Sequence, residues 1–180
     1  MNVRKLCLAA GLLCSVPVLV AAEDGEHRRG RRGADVAPVA NSLYAKECGS
    51  CHFAYQPGLL PARSWRRLMG NLAEHFGESA ELAPEDTAAI TEYLIANAAD
   101  QSTYHRSRRI MRSLSVDDVP TRITEVAYIV GHHDELPVRA VRDNPQVKSL
   151  SHCAACHTQA DKGSYSEHEV AIPGYGRWGD

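Results

Sequence analysis

Large aromatic side chains are scarce in this chain. Two phenylalanines and a 6% aromatic share over 180 residues are thin material for a large core, so the length fits one domain or two small ones. An apolar run long enough for a membrane span is missing as well. Leu6 to Val20 is too short, and with Arg4 and Lys5 before it and Val20-Ala21-Ala22 after it it has the three parts of a secretory signal, cleaved near Ala22. The expected address is periplasmic. Excess positive charge is also absent: without Arg4 and Lys5 there are 18 basic against 22 acidic residues, 18 − 22 = −4, which argues against nucleic acid as a partner. Spare cysteine is lacking too. Of six, Cys7 and Cys14 fall in the signal segment and lack the small-residue pattern of a lipid-anchor site, leaving Cys48, Cys51, Cys153 and Cys156.

What is present is a repeated motif, Cys48-Gly49-Ser50-Cys51-His52 and Cys153-Ala154-Ala155-Cys156-His157. Two thiols one helical turn apart can each add to a haem vinyl group while the following histidine takes the iron, so each copy reads as a c-type haem attachment site. Two copies imply two covalently held haems. A redox dithiol leaves the histidine unexplained in both copies, and no β-α-β pattern surrounds either one. A four-cysteine zinc site would close a tetrahedron from two such knuckles, but the wide separation and the appended histidines fit haem better. With every mature cysteine used, none remains for a disulfide or as a thiolate iron ligand, and the porphyrins supply both the stapling and the missing apolar bulk.

Residues 23–38 are polar and Gly-rich around His27-Arg28-Arg29-Gly30-Arg31-Arg32 and read as a flexible basic leader. Its sharper reading is a docking tail for an acidic partner or an anionic membrane surface. Residues 39–100 are expected to form a first haem domain. Asn41 or Ser42 caps a helix into the first motif, with Tyr44 set to lie against the porphyrin. Pro57-Gly58-Leu59-Leu60-Pro61 breaks the chain, and Ser64 caps a helix from Trp65 to Phe76 that stops at Gly77. Its stripe of Trp65, Leu68, Leu72 and Phe76 turns His75 inward, and His75 is preferred to Met69 as the sixth ligand. A closing helix starts at Pro84 and shows Ile90, Tyr93, Leu94 and Ala98 on one face up to Ala99.

Residues 101–180 are expected to form the second haem domain. The stretch His105 to Arg112 predicts a short basic helix, read as a solvated face with propionate pairing as the alternative. Thr121 to His133 reads as helical, with Val126, Val130 and His133 in register, which selects His133 over His132. Asn144-Pro145 starts a helix carrying Val147, Leu150, Cys153 and His157 along one face. The tail from Ser164 to Asp180 is irregular, with Tyr165, Ile172, Pro173, Tyr175 and Trp178 placed to wrap the second haem and His168 as the rival to His133.

On Cys48 to His52, Trp65 through His75-Phe76-Gly77, the Ile123-Thr124-Glu125 to His133 stretch and Cys153 to Asp161 with Ile172-Pro173-Gly174, the chain resembles the bacterial periplasmic dihaem cytochromes c. The resemblance implies a mainly α fold whose first half looks like class I cytochrome c and whose second half is irregular. It also implies irons flanked by His52 and His75, and by His157 and His133. The partners it implies are a small monohaem oxygen-binding cytochrome or a membrane b-type cytochrome. An iron held by two histidines has no open position, so the expected role is electron transfer without substrate chemistry. The competing reading, a peroxidase-like enzyme, needs one of those irons five-coordinate. A haem-based sensor is weaker, for no linked output domain is seen.

Overall fold

The computed structural model describes residues 33–177. The signal segment, the leader up to Arg32, and Trp178 lie outside the described residues. Seven helices, most of them short, make up the described chain with one two-stranded hairpin. Helix α1 spans Ser42–Gly49. Asn41 is its cap, in extended backbone with Oδ1 accepting from the Tyr44 amide at 2.8 Å, so one of the unpaired first-turn donors is satisfied. The 3-10 turn Pro57–Leu59 leads to α2, Ala62–Met69, and α3 spans Pro84–Ala96 with Pro84 in its first turn and Glu85 and Asp86 at its positive end.

Helix α4 covers His105–Arg112, the limits the sequence indicates. Ser107 and Ile110 are its buried face, and Arg108, Arg109 and Arg112 are exposed. Short helices α5, Ala127–Val130, α6, Val138–Val141, and α7, Cys153–Cys156, follow. Strands β1, Ala171–Ile172, and β2, Gly176–Arg177, pair antiparallel, with Ala171 opposite Arg177.

Four sequence expectations are corrected. Ser64 is not a cap: Pro61 precedes α2, and Ser64 is buried inside it with an unpartnered Oγ. The long helix to Phe76 ends at Met69 and gives way to a 3-10 turn, Leu72–Glu74. His75 and Glu78 then exchange both backbone hydrogen bonds across Phe76 and Gly77. Positive φ at both central residues, 58° and 98°, is the signature of a primed hairpin turn. Phe76 is consequently 46% exposed instead of completing an inward stripe. Thr121 to His133 is likewise not one helix but the 3-10 turn Ile123–Glu125 followed by α5. The run from Asn144 is broken at Lys148, whose φ is 65°, so only Cys153–Cys156 is helical around the second motif.

One buried core spans both halves of the chain. Tyr44, Leu59, Leu60, Trp65, Ile90 and Leu94 share it with Ile110, Val126, Ala160 and Tyr165. The polar seam within it is satisfied by long-range bonds. Gln56, fully buried, donates to the Ala160 carbonyl at 2.5 Å and accepts from the Tyr165 hydroxyl at 2.6 Å. Residues just before α1 join the same seam: the Asp35 and Val36 amides both donate to the Gly163 carbonyl. Val36 is fully buried, and Asp35 accepts from the Tyr165 amide and pairs with Arg106 at 3.5 Å. The described end of the leader is thus docked on the fold. Gly163 is required at this contact, because its φ is +73° and a Cβ there would stand 2.2 Å from the Val36 carbonyl oxygen.

Candidate haem sites

The last turn of α1 delivers Cys48, and the chain just past it presents Cys51 and His52. His52 turns its Nδ1 to the Phe53 carbonyl at 2.7 Å. A protonated Nδ1 leaves the Nε2 lone pair free for a metal, the arrangement that orients most ligating imidazoles. His75, presented by the hairpin turn, lies opposite: the two ring centroids are 6.2 Å apart and the planes 20° from parallel. Burial, followed by the nearby His52 and Arg122, lowers the His75 pKa and so favours the neutral, ligating form. Met69, the other methionine-or-histidine option, is buried in the core.

The second site is built from different local structure. Helix α7 holds Cys153 and Cys156 on one turn, and the His157 backbone is fixed by its bridge to Val170 just before the hairpin. His133, at the end of the α5 segment, sends its Nδ1 to the Ile129 carbonyl at 2.8 Å and lies 6.1 Å from the His157 ring, with planes 69° apart. His132 points elsewhere, edge-on to Tyr128 at 4.6 Å, and is exposed, as is His168. Burial, then His133 and Arg106, lower the His157 pKa to about 4, which keeps the ring neutral at neutral pH. Its Nδ1 is buried without a protein partner.

These distances test the residues against the group the motifs imply. Two imidazoles on opposite sides of one metal need about 2 Å from metal to nitrogen and about 1 Å more to the ring centre on each side, roughly 6 Å in all. Both pairs meet that spacing. A cleft of about 420 Å³ opens at His75 and Phe76 with Leu68 and Arg67 in its wall. One of about 430 Å³ opens at His133, lined by Leu136, Val138, Val141 and Leu150, with Arg142 and Lys148. Phe76, Val138 and Leu150 are among the large apolar residues left exposed, at 46%, 53% and 37%, and a porphyrin face would cover such surface. Arg67, Arg142 and Lys148 place positive charge where propionates could be paired. The residues therefore fit two haems.

The four thiols are free. Burial pushes Cys48 and Cys153 up to about 11, so they stay protonated, and a protonated thiol is a poor partner for premature disulfide exchange. Haem, once joined to these thiols through its vinyl groups, supplies an iron that cycles between two oxidation states. Around it the chain fixes ring orientation at His52 and His133 and walls off the second site with Tyr165, whose ring stands edge-on to His157 at 5.1 Å.

Several roles were not visible in the linear sequence. Arg106, in the basic helix, does not sit on a solvated face: it donates to the Tyr165 carbonyl at 3.0 Å and lies over the Tyr128 and Tyr165 rings. Tyr44 packs against Tyr93 in the core and donates to the Tyr55 carbonyl. Tyr55 itself carries no sequence signal, yet it touches the first site at His52, with 5.2 Å between ring centroids.

A search of curated protein sequences gave no match. A structure of a dihaem cytochrome type c from Shewanella baltica is similar at 45% identity and a TM-score of 0.64, covering 77% of this chain and 98% of that one. A dihaem cytochrome c from Rhodobacter sphaeroides is similar at 42% identity and a TM-score of 0.64, over 72% of this chain and all of that one. A second structure from Rhodobacter sphaeroides is 40% identical at a TM-score of 0.59, covering 71% and 99%. The family model of the dihaem cytochromes c matches residues 44–165, a span that includes both motifs and both histidine pairs, and the chain accordingly belongs to the dihaem cytochrome c family, with two covalently bound haem c groups and a mainly helical fold.

Proposed function

We propose that this protein is an exported electron carrier in which His52 and His75 hold one iron and His157 and His133 the other. The observation that carries the reading is the pairing of the rings, 6.2 Å and 6.1 Å apart, at each of two Cys-x-x-Cys-His motifs that lie 105 residues from each other in sequence. An iron saturated by imidazole on both sides passes an electron but does not grip oxygen or peroxide, so the protein relays charge and performs no substrate chemistry. Histidine in place of methionine puts both potentials at the low end for cytochromes c. The export signal at residues 1–22 supports a periplasmic address, and no helix among the described residues is long and apolar enough to cross a membrane.

The partners in this proposal are redox proteins, a small monohaem oxygen-binding cytochrome or a membrane b-type cytochrome, and stopped-flow mixing of reduced holoprotein with each would read the exchange. Carbon monoxide tests the closed sites directly. The fully reduced protein is expected to leave it unbound, whereas rapid stoichiometric binding at either haem overturns the proposal in favour of a peroxidase-like enzyme. His75→Met and His133→Met are each expected to raise the potential of one haem alone. A variant that left both potentials unmoved would remove that histidine from the ligand set.

A further inference from the structure

Tyr55 lies between the two sites and touches both. Its ring packs on His52 with centroids 5.2 Å apart and planes 32° from parallel. Its hydroxyl donates to the Ser151 carbonyl oxygen at 2.7 Å. That same oxygen is 3.7 Å from the Cys153 sulfur, here a thiol and in the haem-loaded protein the thioether sulfur. From the imidazole at the first site to the sulfur at the second, the route is therefore one side chain and one carbonyl oxygen. The side chain is also held from behind, since its own carbonyl accepts the Tyr44 hydroxyl at 2.7 Å, while Phe53 stands edge-on to its ring at 5.7 Å.

We propose that Tyr55 is the coupling residue that carries electrons between the two haems, through its ring contact with His52 and its hydrogen bond to the Ser151 carbonyl beside Cys153. The inference rests on the relay reading above. In the step, one electron leaves the ferrous iron of one haem and reduces the ferric iron of the other. No bond breaks, no proton leaves the phenol, and Tyr55 is not itself oxidised. The sequence distance of 96 residues between Tyr55 and Ser151 means that only the folded chain makes the path, so coupling and native packing arrive together. A tyrosine suits the place because its ring is flat and apolar toward the imidazole and its tip is a donor toward the carbonyl.

The test uses the haem-loaded full chain, reduced by less than one electron per molecule in a laser flash. Rapid freezing and electron paramagnetic resonance then follow how the electron distributes between the haems, and both potentials are measured alongside. Tyr55→Phe keeps the ring and removes the hydrogen bond; Tyr55→Leu removes both. Tyr44→Phe breaks a bond of equal length to the same residue without entering the path and serves as the packing control. Transfer is expected to slow several-fold in Tyr55→Phe, further in Tyr55→Leu, and not at all in Tyr44→Phe, with potentials unchanged in all three. Wild-type rates in both Tyr55 variants overturn the proposal, as does an equal slowing in Tyr44→Phe or a slowing fully explained by a shifted potential. Carbon monoxide binding to the unmutated protein would sink the relay reading instead, so the two failures are told apart.

Discussion

Imidazole orientation distinguishes the two proposed iron sites at the level of single residues. The His52 and His75 planes are 20° apart and those of His133 and His157 are 69° apart. Near-parallel ligands split the iron d orbitals rhombically, whereas near-perpendicular ligands leave two of them almost equal in energy. The oxidised protein should therefore show two unlike low-spin resonance signals, one rhombic and one highly anisotropic, and a single shared line shape would refute these ring angles. In the haem-free chain, where no iron competes for the ring, a pH effect follows at His157. Its folded pKa of about 4 lies below the ordinary value of 6.5, so the unfolded chain binds the proton first and the stability present above pH 6.5 is lost as pH falls toward 4. His75 is shifted in the same direction. Denaturant midpoints across that window, with proton uptake on unfolding measured at its centre, check the sign. The two motifs mark six candidate residues in the linear chain, whereas the helical registers that singled out His75 and His133 are not present in the fold, where a turn and a short helix bring each of them to its motif histidine. Tyr55 could not, since a contact with Ser151 is fixed by folding and leaves no local pattern.

At the level of the element, the hairpin turn at Phe76 and Gly77 decides how His75 is offered to its partner. Gly77 has φ +98° and open space where a Cβ would go. Gly77→Ala is thus a backbone test without steric clash, expected to cost about 1–2 kcal/mol and to loosen ligation at the first haem before the second. The denaturant midpoint and the paired resonance signals would report it; an unchanged midpoint would mean that the turn does not hold His75. The starts of α1 and α3 were plain in the sequence, after Asn41 and at Pro84, whereas the starts read at Ser64 and Asn144 and the lengths of several elements were not. The run from Trp65 to Phe76 has a helical stripe, yet the helix ends at Met69, and the turn that presents His75 opposite His52 prevails over local propensity. Lys148 likewise interrupts a stripe that looked continuous, in a left-handed conformation that nothing in its residue type announces.

For the whole molecule, the shared core and its polar seam join the surroundings of both haems. Gln56 is the test: Gln56→Leu would leave the Tyr165 hydroxyl buried without a partner, while the Ala160 carbonyl would keep the Gly163 amide at 2.9 Å as its one remaining donor, at a cost of about 1–3 kcal/mol for the stranded hydroxyl. The two haem environments are expected to lose their spectra together in that variant, at a lower temperature than in the parent chain. Separate melting of one haem would show that the halves are independent. Helical periodicity and the family resemblance pointed to the mainly helical class, but the seam was illegible because its members are scattered from Asp35 to Tyr165.

The contact at Asp35 and Gly163 also bears on manufacture. Asp35 and Tyr165 are 130 positions apart, and contacts of such separation close late because a long loop must first be gathered. The segment around Asp35 thus has no mate until the stretch beyond the second motif has been made, and the latch it forms can fasten only on a chain that already carries all four motif cysteines.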